Sequence, residues 1–551
     1  SLRPRELTRR RTHRRCAVRR HVAAGIFPVV AMTATGPART SLWRYSPAII
    51  LFAIVVADVR QLSDADLWVH ILSGRELLAH GSLPATNIYS YSAPTFRWLH
   101  HEWLSEVILS SLFDALGPFG LKLLKFICTA GTISFIVLAE SETGASAGVQ
   151  AIVLVLAAVI LVPSMQFRPQ LFDFLALSAI VAILCRHNWR GSAPLWIAIP
   201  IVAIWSNLHG GFFIGLVAMG VYGAATLLQD IYMGRGARRG LVILAITAAA
   251  AASTLCTFLI PPARETWSTL IYSIRNPTTA GTITDWKPLI ASMTTAPAGS
   301  LEKKYFILVL FFFGAAVISV ILKPKGKDAP LIAVAAFLLA TAFAAQRNIA
   351  IATIAIVPVF ANHLGLLLAR NQIAGSSPAN TPATQRAGRF VMEALIAIVA
   401  IAIAHSSGIL KPGIPAPGYP ADAVNFMNRH SLAGNVLADY AWGGFVIWHG
   451  GPGTKVFIDS RYDLGYPPAV IADFLALDRG ESGAAHTLDA YPTDFVLTNP
   501  RGREASVMDS QRGWRLIYRD DVASLYARAN SPAAHLDGVP FTGPASFPFF
   551  P

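Results

Sequence analysis

A few short polar motifs stand out against an otherwise apolar chain, and their residue types suggest chemistry. The run DADLWVH places Asp64 and Asp66 directly after an apolar stretch near 46–62. A carboxylate at the mouth of an apolar cavity is partly desolvated, which raises its pKa and suits it to accept a proton as a general base. Aspartate also caps helices readily. With the two aspartates two positions apart, Asp64 is expected to cap the next helix and Asp66 to act on substrate. A second motif, WLHHEWLSE, sets His100, His101 and Glu102 side by side. Imidazole and carboxylate both ligate zinc and manganese, so a divalent metal is a candidate cofactor. Adjacent histidines point differently on a helix, however, and the spacing is not HExxH, so one ion would take both only awkwardly. The remaining candidates sit singly in short turns: Arg168 in QFRPQ, Asn207 and His209 in SNLHGG, Asp285 and Lys287 in ITDWKP, and Arg347 in AQRN.

The elements that position these groups are helices in lipid. Apolar residues make up 54% of the chain and charged residues 14%, with mean hydropathy +0.50; a soluble domain carries about 25% charged residues. Runs such as 149–164, 211–228 and 240–259 hold no charge, and each is long enough to cross roughly 30 Å of hydrocarbon as a helix. A soluble protein would need amphipathic surface helices, and few exist outside the ends. Apolar runs near 46–62, 121–139, 149–164, 170–185, 193–206, 211–228, 240–259, 304–322, 329–345, 348–367 and 391–407 predict an α-helical polytopic membrane protein of about eleven spans.

The net charge of +14 is not spread over a surface. Nine arginines fall within residues 1–20, and most other bases lie in loops between spans. That is the pattern of topology signals and contact with anionic headgroups in a lipid bilayer, so nucleic acid is not expected as a partner. Residues 1–44 read as a basic disordered tail, of which the first 31 look dispensable, with Met32 a natural start. The four cysteines, Cys16, Cys128, Cys185 and Cys256, form no disulfide framework and no CxxC pattern.

Placing the arginine-rich start in the cytoplasm sorts the loops. The segments 140–150, 186–190, 235–239, 323–327 and 370–389 fall inside, and four of these five are basic. The loop 140–150, with two glutamates and no base, breaks the pattern. Every candidate above lands on the opposite face, in the long first outer loop 63–120 or in the turns facing it. A charge held near membrane depth faces protein or a water-filled cavity and is a functional candidate, although each could instead anchor a helix end at the headgroups. The stretch 66–80 has a helical apolar face (Leu67, Ile71, Leu77, Leu78) suited to lie along the membrane surface, ending at Gly81 and Pro84.

After the last span, 408–420 is a Pro/Gly linker. Residues 421–530 read as a small outer-face α/β domain, with strands NVLADY, GGFVIWH, KVFIDS, DFVLTN, WRLIY and ASLYARA and helices in PPAVIADFLALDRG and AAHTLDAY. Asp459, Arg461 and Asp463 follow a strand, where they could bind a ligand or fix their own loop. Tyr440, Trp442 and Trp448 could stack on sugar rings or pack in the core. Residues 531–551 are expected to be unstructured.

A first span, acidic residues opening a long outer loop, interfacial helices, about eleven spans and a C-terminal outer domain together resemble the GT-C superfamily, membrane glycosyltransferases that use polyprenyl-phosphate-linked sugars. DADLWVH…HGSLP…YSYS…HEWLSE, SNLHGGF and YAWGGFVIWHG…KVFIDSRYD are more closely similar to a bacterial group of multispan proteins near the protein mannosyltransferase and aminoarabinose transferase relatives; the likeness covers about 45–530. It implies transfer of a sugar from a polyprenyl-phosphate donor to an envelope lipid, glycan or protein acceptor. The site would lie on the non-cytoplasmic face of a bacterial inner membrane. The family's catalytic aspartate then corresponds to Asp64 or Asp66, and Arg168, His209 and Arg347 would surround the lipid phosphate, with Lys287 a further candidate and Asp285 a partner for one of these bases. A transporter or flippase for a lipid-linked glycan is the rival reading, yet no internal repeat is evident and the polar groups gather at one face. A non-catalytic envelope-assembly scaffold is a third.

Overall fold

The computed structural model describes residues 64–275, 284–369, 414–415, 418–536 and 549–550, all within one compact unit spanning 42–551. The basic tail, the expected first and last spans and most of the linker lie outside the described residues.

Eight described helices are long and apolar enough to cross a membrane: Pro118–Ser141, Ala147–Ser164, Gln170–Arg190, Phe212–Tyr232, Arg238–Leu259, Leu301–Leu322, Gly326–Ala344 and Gln346–Ala369. Leu195–Leu208 is a shorter apolar helix between the third and fourth of them. Their outward faces carry Ile204, Leu228, Phe311 and Ile321, each 59–68% exposed, as helices surrounded by lipid require.

The loops separate into two groups, as the alternation of spans demands. At one end Glu142 pairs with Arg186 (3.2 Å) and Arg190 (2.5 Å), so the acidic loop that broke the basic pattern is neutralised by its neighbour. At the same end the buried Asp328 accepts from Trp189 Nε1 (2.8 Å), Asn188 Nδ2 (3.3 Å) and Asn362 Nδ2 (2.7 Å). The turns holding Arg168, Asn207, His209, Asp285 and Arg347 gather at the other end with the first outer loop.

That outer loop is built on two helices, α1 (Leu67–His80) and α2 (Trp103–Leu116). Gly81, at φ 68°, stops α1 and donates back to the Leu77 carbonyl. Gly74 lets the two helices touch, since a Cβ there would sit 2.1 Å from the Glu106 carbonyl oxygen. Arg75 and Asp114 close the pair with an ion contact of 2.6 Å.

Three of the four residues on the expected apolar face of α1, Leu67, Ile71 and Leu77, are buried in protein, while Leu78 stays 55% exposed. Leu67, Trp68 and Ile71 are fully buried in a core shared with Val424, Met427, Val436 and Phe445 of the C-terminal domain. Trp68 packs edge-on to Phe445, with centroids 5.5 Å apart. Each such side chain contributes roughly 1.5–3 kcal/mol by leaving water, which ties loop and domain into one body.

The C-terminal domain is a five-stranded mixed sheet. Asn435–Ala438 runs parallel to Lys455–Val456 and to Phe495–Thr498, while Ser524–Arg528 is antiparallel to Phe495–Thr498 and to Trp514–Arg519. Outer-loop residues extend its edge: Val456 N–H donates to Tyr89 O and Tyr91 N–H to Val456 O. One expected strand is wrong. GGFVIWH lies in the helix Tyr440–His449, started by the Asp439 side chain accepting from Ala441 N–H at 2.8 Å. A short run buried on all sides carries no period that separates strand from helix. Within the tail expected to be unstructured, Pro532–His535 form a 3-10 turn and Phe549–Phe550 pair with Ile414–Pro415.

Candidate active site

A cavity of about 330 Å³ opens between the outer loop, the hairpin turns of the bundle and the C-terminal domain. Its walls include Asp66, Arg168, His209, Asp285 and Arg347, drawn from segments far apart in sequence.

The two aspartates divide their work. Asp64 Oδ1 accepts the Asp66 backbone N–H at 3.0 Å, and the Asp64 carbonyl accepts from Leu67 N–H at 3.1 Å, so Asp64 shapes the turn into α1. Asp66 precedes the helix without a side-chain capping bond, and 26% of its side chain stays open beside the cavity. Burial raises its pKa above the ordinary 3.8; Arg168 opposes that rise and the charge on Asp64 adds to it, with His70 and Ser460 pulling down more weakly.

Arg168 is crowded by acids. Its Nε lies 2.7 Å from Asp64 Oδ1 and 3.3 Å from Asp66 Oδ2, while Nη1 donates to Asp285 Oδ2 at 3.2 Å. The Nε contact is an ion pair lacking hydrogen-bond alignment, which leaves that N–H without a directed acceptor. Three carboxylates on one guanidinium leave a local negative excess, so Arg168 is fitted to hold the aspartates in place. Arg347 differs. It stacks over the Trp286 ring at 4.4 Å and lines the cavity, and among the described residues no carboxylate reaches it within ion-pair distance. A guanidinium in that state is ready for an incoming anion.

His209 lies between two acids, with Nδ1 2.5 Å from Asp173 Oδ2 and Nε2 3.0 Å from Glu102 Oε1. Burial alone would lower its pKa, but these carboxylates lift it to about 10. Glu102 also meets His101 Nε2 at 3.2 Å; burial works against its ionisation, yet His101 and His209 hold it well below the usual range. The expectation that neighbouring histidines diverge holds here: His100 turns away to stack on Trp98 at 4.3 Å, and burial together with Arg461 presses its pKa to about 3. His101, Glu102 and His209 therefore converge, with a second group, His70, Glu102 and Glu106, beside them. Both sets consist of donors that could hold a metal.

Two expected residues stand back. Asn207 accepts from Trp103 Nε1 (3.1 Å) and donates to Ala203 O, a packing role. Lys287 does not line the cavity, and its carbonyl accepts Gln346 N–H at 3.0 Å. Other contributors were missed. Asp173 was a lone carboxylate early in an apolar span, which is a readable signal. His70 stands four residues after Asp66 on α1, where i and i+4 share a helix face. Trp98, Ser460 and Tyr462 line the cavity by virtue of domain packing that no local pattern announces, beside Tyr440 and Asp463, which the sequence offers as sugar- or ligand-binding groups. Arg461 holds its own loop through Asp459 (Nε–Oδ1 2.8 Å) and Asn87, and Tyr462 sits at φ 47° in the tightened turn. Trp442 is core, while Trp448 packs against Phe113 and Arg75.

No protein-family model and no curated protein matches the chain. Solved structures do. The archaeal oligosaccharyltransferase AglB from Archaeoglobus fulgidus, determined with an inhibitory peptide and a dolichol-phosphate, aligns at TM-score 0.51 and 13% identity over 89% of this chain and 74% of its own. ArnT from Cupriavidus metallidurans, bound to undecaprenyl phosphate, aligns at TM-score 0.50 and 13% identity over 91% of this chain and 100% of its own. Both are GT-C glycosyltransferases. The fold of this chain is the GT-C fold.

Proposed function

We propose that the chain is a membrane glycosyltransferase moving a sugar from a polyprenyl-phosphate donor to an envelope lipid, glycan or protein acceptor on the non-cytoplasmic face of a bacterial inner membrane. One observation carries the reading: in a GT-C fold, a partly desolvated carboxylate without a capping role, Asp66, lines the same cavity as a guanidinium without an acidic partner among the described residues, Arg347. In the proposed mechanism the donor phosphate docks on Arg347, and the acceptor hydroxyl gives its proton to Asp66. The acceptor oxygen bonds the anomeric carbon as the bond to the departing lipid phosphate breaks. Arg347 stabilises the charge gathering on that phosphate, most strongly where water is excluded. Arg168 fixes Asp66 in register, and α1 with the C-terminal domain roofs the cavity.

The test is purified protein given a radiolabelled polyprenyl-phosphate sugar pool and an envelope extract. Label appearing in an acceptor together with stoichiometric release of polyprenyl phosphate supports the proposal. A protein that binds donor and never transfers label refutes it. Orientation is read by labelling cysteines in intact cells: Asp521→Cys should react with an impermeant reagent and Lys325→Cys should not.

A further inference from the structure

We propose that His100 and Arg461 form the subsite that reads the hydroxyls of the donor's sugar ring. Both line the cavity, and each keeps one buried side-chain nitrogen, His100 Nε2 and Arg461 Nη1, without a hydrogen-bond partner among the described residues. Both are deeply set: His100 is 7% exposed and the Arg461 side chain 8%. A polar atom held that far from water costs stability until a ligand completes it.

The two nitrogens belong to one wall. His100 stacks on Trp98 with centroids 4.3 Å apart, and the Arg461 guanidinium lies 4.2 Å from the centre of the same ring. Leu99 N–H donates to Leu464 O at 3.1 Å, which stitches together the segments that carry them. The rest of the Arg461 fork is occupied. Nε donates to Asp459 Oδ1 at 2.8 Å, and Nη2 donates to Asp459 Oδ2 at 2.5 Å and to Asn87 Oδ1 at 2.7 Å. Tyr466 OH donates to Asp459 Oδ2 at 2.7 Å and closes the network. The turn is tightened as well, with Tyr462 in the left-handed region at φ 47°. Such strain persists only where the surroundings enforce it. The wall is therefore built before substrate arrives.

Asp459 already answers the guanidinium charge, so Nη1 calls for a neutral acceptor rather than a second phosphate. An imidazole nitrogen accepts or donates according to its tautomer, and a hydroxyl matches either. In the proposed transfer, on which this assignment rests, the hydroxyl-rich group is the sugar joined directly to the phosphate on Arg347. An acceptor need bring only one hydroxyl into the cavity, whereas the sugar has to enter it whole.

The test measures binding to the full chain in detergent. The probes are polyprenyl methyl phosphate, a phosphodiester without a sugar, and the glucosyl, mannosyl, galactosyl and arabinosyl esters of polyprenyl phosphate. We expect wild type to bind at least one sugar ester about 10-fold or more tighter than the methyl ester. His100→Phe keeps a ring on Trp98 and removes the nitrogen. It should weaken that sugar ester about 3- to 10-fold and leave the methyl ester unchanged. Arg461→Lys keeps a charge beside Asp459, removes the free arm of the fork and should weaken the sugar ester about 10-fold or more. Should Arg461→Lys fail to fold, wild type and His100→Phe decide the matter. A sugar ester that binds His100→Phe as tightly as wild type overturns the subsite, as does equal weakening of sugar and methyl esters. A wild type that binds all esters alike overturns the subsite and leaves the phosphate contact of Arg347 standing. A wild type that binds none of them overturns both.

Discussion

The two ends of the helical bundle handle charge in opposite ways. At the end holding Asp328, one buried carboxylate accepts from neutral donors on two other helices, and Glu142 is matched by two arginines. Such a hub ties helices together. At the cavity end the charges are unevenly shared: Arg168 faces three carboxylates, Arg347 faces an aromatic ring, and Asp66 stays partly open. Uneven sharing of buried charge destabilises a protein unless a ligand evens it out. Charge at membrane depth alone therefore does not mark a site; charge without a completed partner set does.

Three experiments break or sharpen this contrast, in falling order of expected effect. Asp328→Ala strands donors from Asn188, Trp189 and Asn362, each costing roughly 1–3 kcal/mol. Thermal or denaturant unfolding in detergent should show the loss, while transfer per folded molecule stays at the wild-type rate. Equal loss of transfer would make that end functional too. Arg347→Ala removes a charge-assisted phosphate contact of about 1.5–3 kcal/mol, a roughly 10- to 150-fold drop in kcat/KM for donor with little change in melting temperature. A parental kcat/KM in this variant would reduce Arg347 to a headgroup anchor.

The third concerns pH. Asp66 must be ionised to take a proton, so activity falls as pH drops through its pKa, and burial places that limb above the ordinary aspartate range. Asp64→Asn removes a like charge, lowers the Asp66 pKa and should move the limb to lower pH, while its side-chain oxygen can still accept the Asp66 N–H that shapes the turn. Arg168→Ala removes the opposing charge and should move the limb to higher pH. Rate–pH profiles of the three proteins check both signs. Limbs that coincide would remove Asp66 as the titrating group.

Eight of the expected spans were legible because charge-free length admits few alternatives in lipid, whereas 193–206 is a shorter apolar helix; the sorting of turns between two ends followed from counting crossings. Hence Arg168, His209 and Arg347 could be expected at one end before any distance was known. Their different roles could not, because pairing depends on the acids each one meets: Asp285 for Arg168, Asp173 for His209, Trp286 for Arg347. What covers most of the apolar face of α1 was not legible for a related reason. An apolar stripe reads alike whether lipid or Phe445 covers it. The cavity's far wall, from Ser460 to Asp463, depends on how the C-terminal domain seats on the outer loop, which local patterns do not encode.

The central claim is that Asp66 is the base of a transfer reaction, and Asp66→Asn tests it most directly. The substitution keeps size and removes the ability to take the proton, which should slow transfer by about 10²–10⁴-fold. Purified wild type and variant are compared for donor binding and for label transfer in the same preparation. The account predicts near-normal donor binding with transfer reduced by that factor. Transfer at the wild-type rate in Asp66→Asn would contradict it.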